Sequence, residues 1–139
     1  MSEIKGTSRV FKKLKMVSKK VDLEVRSAIQ RNAQQMLEEA LKNVPIDRGY
    51  LRDSGDKDTT NPYIGKVFFG GDLAPYAPFV EFGTGEDFAT DPSFYKYASQ
   101  FQRGPGHNME PQPYLIPAYI LYKKIFLRDM RKIAKNISK

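Results

Sequence analysis

The chain has no cysteine, no tryptophan and one histidine in 139 residues. Without cysteine there is no disulfide, no thiolate nucleophile and no thiolate zinc site. His107 stands in "GPGHNMEP", among residues that favour an exposed loop, with no second histidine to complete a metal site or a base pair. Long apolar runs are missing as well. None approaches the ~20 residues of a membrane span, and "MSEIKGTSRVFKKLK" lacks the apolar centre of a signal peptide. "EFGTGED" does not have the Gly-x-x-x-x-Gly-Lys-Ser/Thr spacing that cradles phosphates, and no dinucleotide fingerprint occurs. Neither Ser54 nor Ser93 lies in a Gly-x-Ser-x-Gly turn. Glu86, Asp87 and Asp91 depart from the calcium-loop spacing and read as solvated loop acids. These absences predict an intracellular protein that is not an enzyme, needs no cofactor or metal, and has no membrane partner.

Charge is present in abundance but unevenly placed. The net charge is +7. Residues 1–46 carry +5, residues 47–110 carry −4 and residues 111–139 carry +6. Such a basic–acidic–basic chain suits head-to-tail pairing with copies of itself or a basic surface for nucleic acid; solvated helix faces are the simpler alternative. At this length a single domain, residues 1–139, is expected.

Apolar residues recur at helical spacing over residues 14–44, with Leu14, Val25 and Met36 eleven apart. Glu38 and Lys42 stand one turn apart as an ion pair, and Pro45 ends the helix by forcing Val44 out of helical geometry. Asn32 interrupts the apolar stripe and, once buried, requires a hydrogen-bond partner. At 1.5 Å per residue this helix is roughly 45 Å long, against a diameter of ~37 Å for a compact domain of this size. It therefore overhangs or breaks near Lys19 and Lys20, and an overhanging apolar helix calls for a partner. An oligomer is expected.

Residues 55–62 are polar and turn-rich. "YIGKVFFGG" reads as a strand with Tyr63, Gly65, Val67 and Phe69 on one side, and residues 76–82 read as a core helical turn or strand. A long loop follows at about 83–112, holding a short helix capped by Asp91 and Pro92 that puts Phe94, Tyr95, Ala98 and Phe101 on one face. A neighbouring subunit is one place to bury those aromatics. The last element begins apolar all round at residues 114–122 and then becomes one-sided. Phe126, Leu127, Met130, Ile133, Ala134 and Ile137 face one way, while Lys124, Arg128, Arg131 and Lys135 form a basic stripe on the other. That stripe fits phosphates or an acidic protein surface, and a small basic nucleic-acid-binding module is the alternative function it suggests. The predicted fold class is α+β: a long N-terminal helix, a small antiparallel sheet and a long C-terminal helix.

Three stretches, in order and spread over nearly the whole chain, resemble one family. "VPIDRGYLRDS", "PYAPFVEFGTG" and "PQPYLIPA" are similar to segments of the gene-product-ten-like proteins of lambdoid tailed phages. Arg48, Tyr50 and Ile116 depart from the family's usual residues. The resemblance implies a non-catalytic virion protein, made in the host cytoplasm, that completes the tail or joins it to the head. It also implies a ring, typically of six subunits, seated between the head connector or head-completion protein and the tail terminator or tail tube. DNA passing through such a ring makes non-specific contact with it conceivable. On this basis Asp47, Arg48, Leu51, Arg52 and Asp53 are expected at a ring interface, with Glu81 the nearest partner for Arg52. Phe94, Tyr95 and Phe101 are expected at the same kind of contact.

Overall fold

The computed structural model describes residues 8–46, 49–84, 92–101 and 109–137, with side chains of the first helix from residue 18 onward. Helix α1 spans Ser8–Asn43 without a break at Lys19 and Lys20, so of the two expected outcomes it overhangs. It is roughly 54 Å long. Pro45 explains its end, since the residue before a proline is pushed out of helical geometry. On its outer face Lys42 reaches Glu39 at 4.0 Å, and Glu38 accepts from Gln34 at 3.0 Å. The expected Glu38–Lys42 pair is thus replaced by its two neighbours, a small change on an exposed surface.

Helix α5, Leu115–Ile137, packs antiparallel along α1. Asn43 lies against the Tyr114 carbonyl, Asn32 against Asp129, and Leu23 shares a cleft with Ile133. Small residues on α1 (Ala28, Ala33 and Ala40, all buried) let the two backbones approach. Because α5 is shorter, roughly ten residues of α1, about 15 Å, run past its end. The first turns of α5 are less enclosed than expected: Pro117, Tyr119 and Leu121 are exposed, whereas Tyr114, Ile116 and Ala118 are buried.

The polar interruption in α1 finds its partner on α5. Asn32 is 6% exposed and donates both amide hydrogens, to the Ala28 carbonyl at 2.8 Å and to Asp129 Oδ2 at 3.0 Å. Arg31, half exposed, donates to the same carboxylate oxygen at 3.0 Å. The Asn32 hydrogen bond, followed by Arg31, holds the Asp129 carboxyl below its ordinary value of 3.8. A lowered value means a contribution that is complete above pH 3.8 and disappears as pH falls through the folded value. Asp129→Ala is expected to cost about 1–3 kcal/mol at neutral pH, mostly through the stranded Asn32 amide. In urea unfolding, the gap between wild type and variant should narrow once the pH drops below 3.8.

Between the long helices the chain forms a hairpin. Strand β1, Asp56–Asp58, pairs antiparallel with β2, Lys66–Phe68, with Asp56 opposite Phe68 and Asp58 opposite Lys66. The strand expected from residue 63 is therefore shorter, and its partner comes from the stretch read as turn. The reason is local. Asn61 Oδ1 accepts the Tyr63 N–H and Asp58 Oδ1 accepts the Thr60 N–H, so side chains take donors that a longer ladder would use. Tyr63 instead faces solvent and donates its hydroxyl to Asp22 at 2.6 Å. Val67 does turn inward while Lys66 and Phe68 turn outward, as the alternation predicts. The observed fold is the expected α+β arrangement of long helix, small antiparallel sheet and long helix.

Two short helices complete the middle. α2 spans Tyr50–Asp53, and α3 spans Ala77–Phe82 where a helical turn or strand was expected. The helix expected near residue 92 is broken into a 3-10 turn at Pro92–Phe94, α4 at Tyr95–Ala98, and a second 3-10 turn at Ser99–Phe101.

Candidate functional site

All three motif stretches meet in one place. Val44 and Leu51 from the first, Ala77 and Val80 from the second and Tyr114 from the third form one buried cluster, completed by Ala74 and flanked by Phe69 and Leu115. Phe69 meets Tyr114 edge to face at 5.0 Å. The Tyr114 hydroxyl donates to the Ala77 carbonyl at 3.0 Å, and burial, followed by the nearby Glu81 carboxylate, pushes that phenol far above its usual range.

Glu81 is the centre of this junction. It is 5% exposed, and it accepts three backbone N–H groups: Tyr114 at 2.8 Å, Leu115 at 2.9 Å and Ile116 at 2.7 Å. These are the orphan donors at the start of α5, and the next residue, Pro117, has no N–H to satisfy. A carboxylate carried on α3 therefore caps a helix 34 residues later in the chain, where the helix dipole favours negative charge. Burial pushes the Glu81 carboxyl above its ordinary value of 4.5, against the pull of the three N–H groups.

Gly83 brings the same two stretches into contact. Its backbone at φ +73°, ψ −179° is open in practice to glycine alone. A Cβ there would lie 2.6 Å from the Met109 carbonyl oxygen and 2.8 Å from the Pro111 nitrogen. Beside it, Thr84 and Met109 exchange hydrogen bonds at 3.0 Å, and Gln112 donates to the Val80 carbonyl at 2.8 Å. The turn after α1 is held as firmly. Gly49 takes φ +82°, and Ser54 Oγ donates to the Leu51 carbonyl at 2.6 Å while accepting the Gly70 N–H at 3.0 Å.

This geometry redistributes the residues expected at an interface. Asp47 and Arg48 lie outside the described residues, as do His107, Glu86, Asp87 and Asp91. Leu51 is buried in the cluster and has no side chain to offer a neighbour. Arg52 donates to the Leu41 carbonyl at 3.2 Å and does not meet Glu81, whose oxygens are committed to the α5 backbone. Phe94 and Phe101 pack within the subunit against a second cluster of Phe82, Ala98 and Ile116, so no neighbour is required to bury them. Asp53 and Tyr95 are exposed. Lys124, Arg128, Arg131 and Lys135 are all exposed on α5. Sequence reasoning missed the capping role of Glu81 and the Asn32–Asp129 bond. For the second there were partial signals, a lone amide in an apolar stripe and a lone acid in a basic helix; for the Glu81 cap there was none.

An apolar groove of about 350 Å³ runs between α1, α5 and the hairpin, walled by Ile29, Met36, Ile64, Tyr122 and Phe126. Among the described residues no group of three or more acidic or histidine side chains is placed to hold a metal ion, and no helix is long and apolar enough to cross a membrane.

Two long antiparallel helices around a hairpin, with every sequence motif invested in the junction between them, define a small α+β subunit. A family model described as "Bacteriophage HK97-gp10, putative tail-component" matches residues 8–83, more than half of the chain, from the start of α1 to the end of α3. The chain belongs to this family of phage tail components and is a virion-associated protein. Neither curated proteins nor solved structures give a match.

Proposed function

We propose that the protein is a tail-completion, or head–tail joining, component of the phage neck, acting as a ring of about six copies. The head connector or head-completion protein would bind one face of the ring, and the tail terminator or tail tube the other. No catalysis is part of this role. The observation that carries the reading is membership of the tail-component family across α1, the hairpin and α3. Two physical features support it. The first turns of α1 run past the end of α5, so α5 is not their neighbour and another chain can be. The groove beside the hairpin stays open, with Tyr63, Ile64 and Tyr119 exposed at its rim. Asp53 and Tyr95 are the remaining exposed candidates for contacts between copies.

Light scattering of the purified protein at low and moderate salt tests the ring. A discrete species of about six subunits is expected at both. A monomer at every concentration, also after mixing with the connector ring, would overturn the proposal.

A further inference from the structure

We infer that the outer face of α5 is a sequence-independent surface for duplex DNA. Lys124, Arg128, Arg131 and Lys135 lie within about 60° of one another around the helix and extend roughly 16 Å along it. All four are exposed, as is Lys132 at the edge of the stripe. The face lies opposite the one that packs on α1, so the subunit's own core leaves it open. The one acid on α5 does little to offset it. Asp129 turns toward α1, its side chain 13% exposed, and its Oδ2 accepts from Asn32 and Arg31. Its other oxygen lies 3.9 Å from Arg128, whose side chain remains 62% exposed.

Two partners of opposite charge would fit: a phosphate backbone, or the acidic middle of a second copy, where Asp53, Asp56 and Asp72 are exposed. The composition of the face favours the first. Interfaces between proteins are depleted in lysine and in charge at their centres, and draw their energy from aromatic and arginine anchors seated in well-packed pockets, whereas these four side chains stand exposed. A straight row of two lysines and two arginines, with aromatics only beside its Lys124 end (Phe94 and Tyr119), has the make-up of a phosphate-contacting surface. Duplex DNA presents a charge every 1.7 Å or so of its axis, so a row of this length can be neutralised without a particular sequence. The motif stretches contribute nothing to this face, so it stands independently of how many subunits assemble.

The test is binding of a short random-sequence duplex to the full chain, followed by fluorescence anisotropy over a series of salt concentrations. Wild type should bind at low salt with a slope of log K against log salt of about −3 to −4. The double variant Arg128→Gln, Arg131→Gln should lower that slope by about 2 whatever the DNA sequence. Lys42→Gln, on the exposed end of α1, should leave it unchanged, and both variants should keep the wild-type unfolding midpoint. Absence of binding at the lowest salt would overturn the inference, as would an unchanged slope in the double variant. A double variant that loses its oligomeric mass yet binds DNA as before would assign the stripe to a subunit contact instead.

Discussion

Glu81→Ala should lower the unfolding free energy by about 3 kcal/mol or more, a large loss for a side chain whose surface is almost wholly hidden. The substitution removes the acceptor of three N–H groups at the start of α5, two of them buried and the third partly so. An orphaned buried donor costs about 1–3 kcal/mol, so even partial relaxation leaves a deficit of this size. Glu81→Gln should cost less, about 1–2 kcal/mol, because one oxygen remains while an amide donor opposes the N–H that faced the other. The charge on Glu81 itself shows in the pH dependence of wild type against Glu81→Gln. The folded Glu81 value is raised above 4.5, so its stabilising contribution is complete below pH 4.5 and is lost as pH rises through the folded value. The advantage of wild type over Glu81→Gln should therefore be greatest in mild acid and shrink toward neutral pH. Urea unfolding at both pH values reads this directly; an advantage that grows with pH would show that the N–H groups outweigh burial.

Gly83→Ala is expected to be comparably severe, again about 3 kcal/mol or more. Two costs combine. The backbone conformation is strained for any residue with a Cβ, and that atom would enter the space of the Met109 carbonyl and the Pro111 ring. Neither neighbour yields easily. Met109 is tied to Thr84, and Pro111 precedes Gln112, which is tied to Val80. Displacing this segment also tilts the start of α5 away from Glu81, so the effects of Glu81→Ala and Gly83→Ala should fall short of additive when combined. Thermal unfolding of the two single variants and the double variant measures this. Full additivity would mean that the two residues act separately.

The sequence revealed the parts of this fold whose signals are periodic or terminal. The body of the first helix, expected over residues 14–44, its stop before Pro45, and the inward face of Phe126, Met130 and Ile133 on α5 follow from apolar spacing and proline chemistry; the start at Ser8 and the exposure of Leu127 and Ile137 do not. Asn32 was legible as a residue in need of a partner, because an amide in an apolar stripe has to be satisfied. Its partner was not, because pairing Asn32 with Asp129 requires the register of two helices 97 positions apart. Glu81 illustrates the same limit. In "FVEFGTG" it reads as a partner for Arg52 at an interface, and only the fold shows that "PYLIP" begins a helix at that carboxylate. The short β1 strand was hidden by composition: "DKD" has no strand signature and is held in place by Val67 and its neighbours across the ladder. Of the aromatics in residues 94–101, Phe94 and Phe101 find cover, but their host is Phe82 and Ile116 of the same subunit, while Tyr95 stays exposed.

The motif that closes α1 therefore has a structural answer before a functional one. Leu51 and Val44 anchor the junction, Gly49 and Ser54 shape it, and Glu81 and Gly83 fasten α5 to it. A subunit built this way holds its two long helices in a fixed relation, as the proposed role between two different partners would require. Stability of the junction and competence for assembly should accordingly fail together in the Glu81→Ala and Gly83→Ala variants.

The most direct test of the joining role is electron microscopy of particles made by a phage in which this gene is interrupted. The account predicts separate heads and tails, restored to joined particles when the intact chain is supplied. Joined, infectious virions lacking the protein would contradict it.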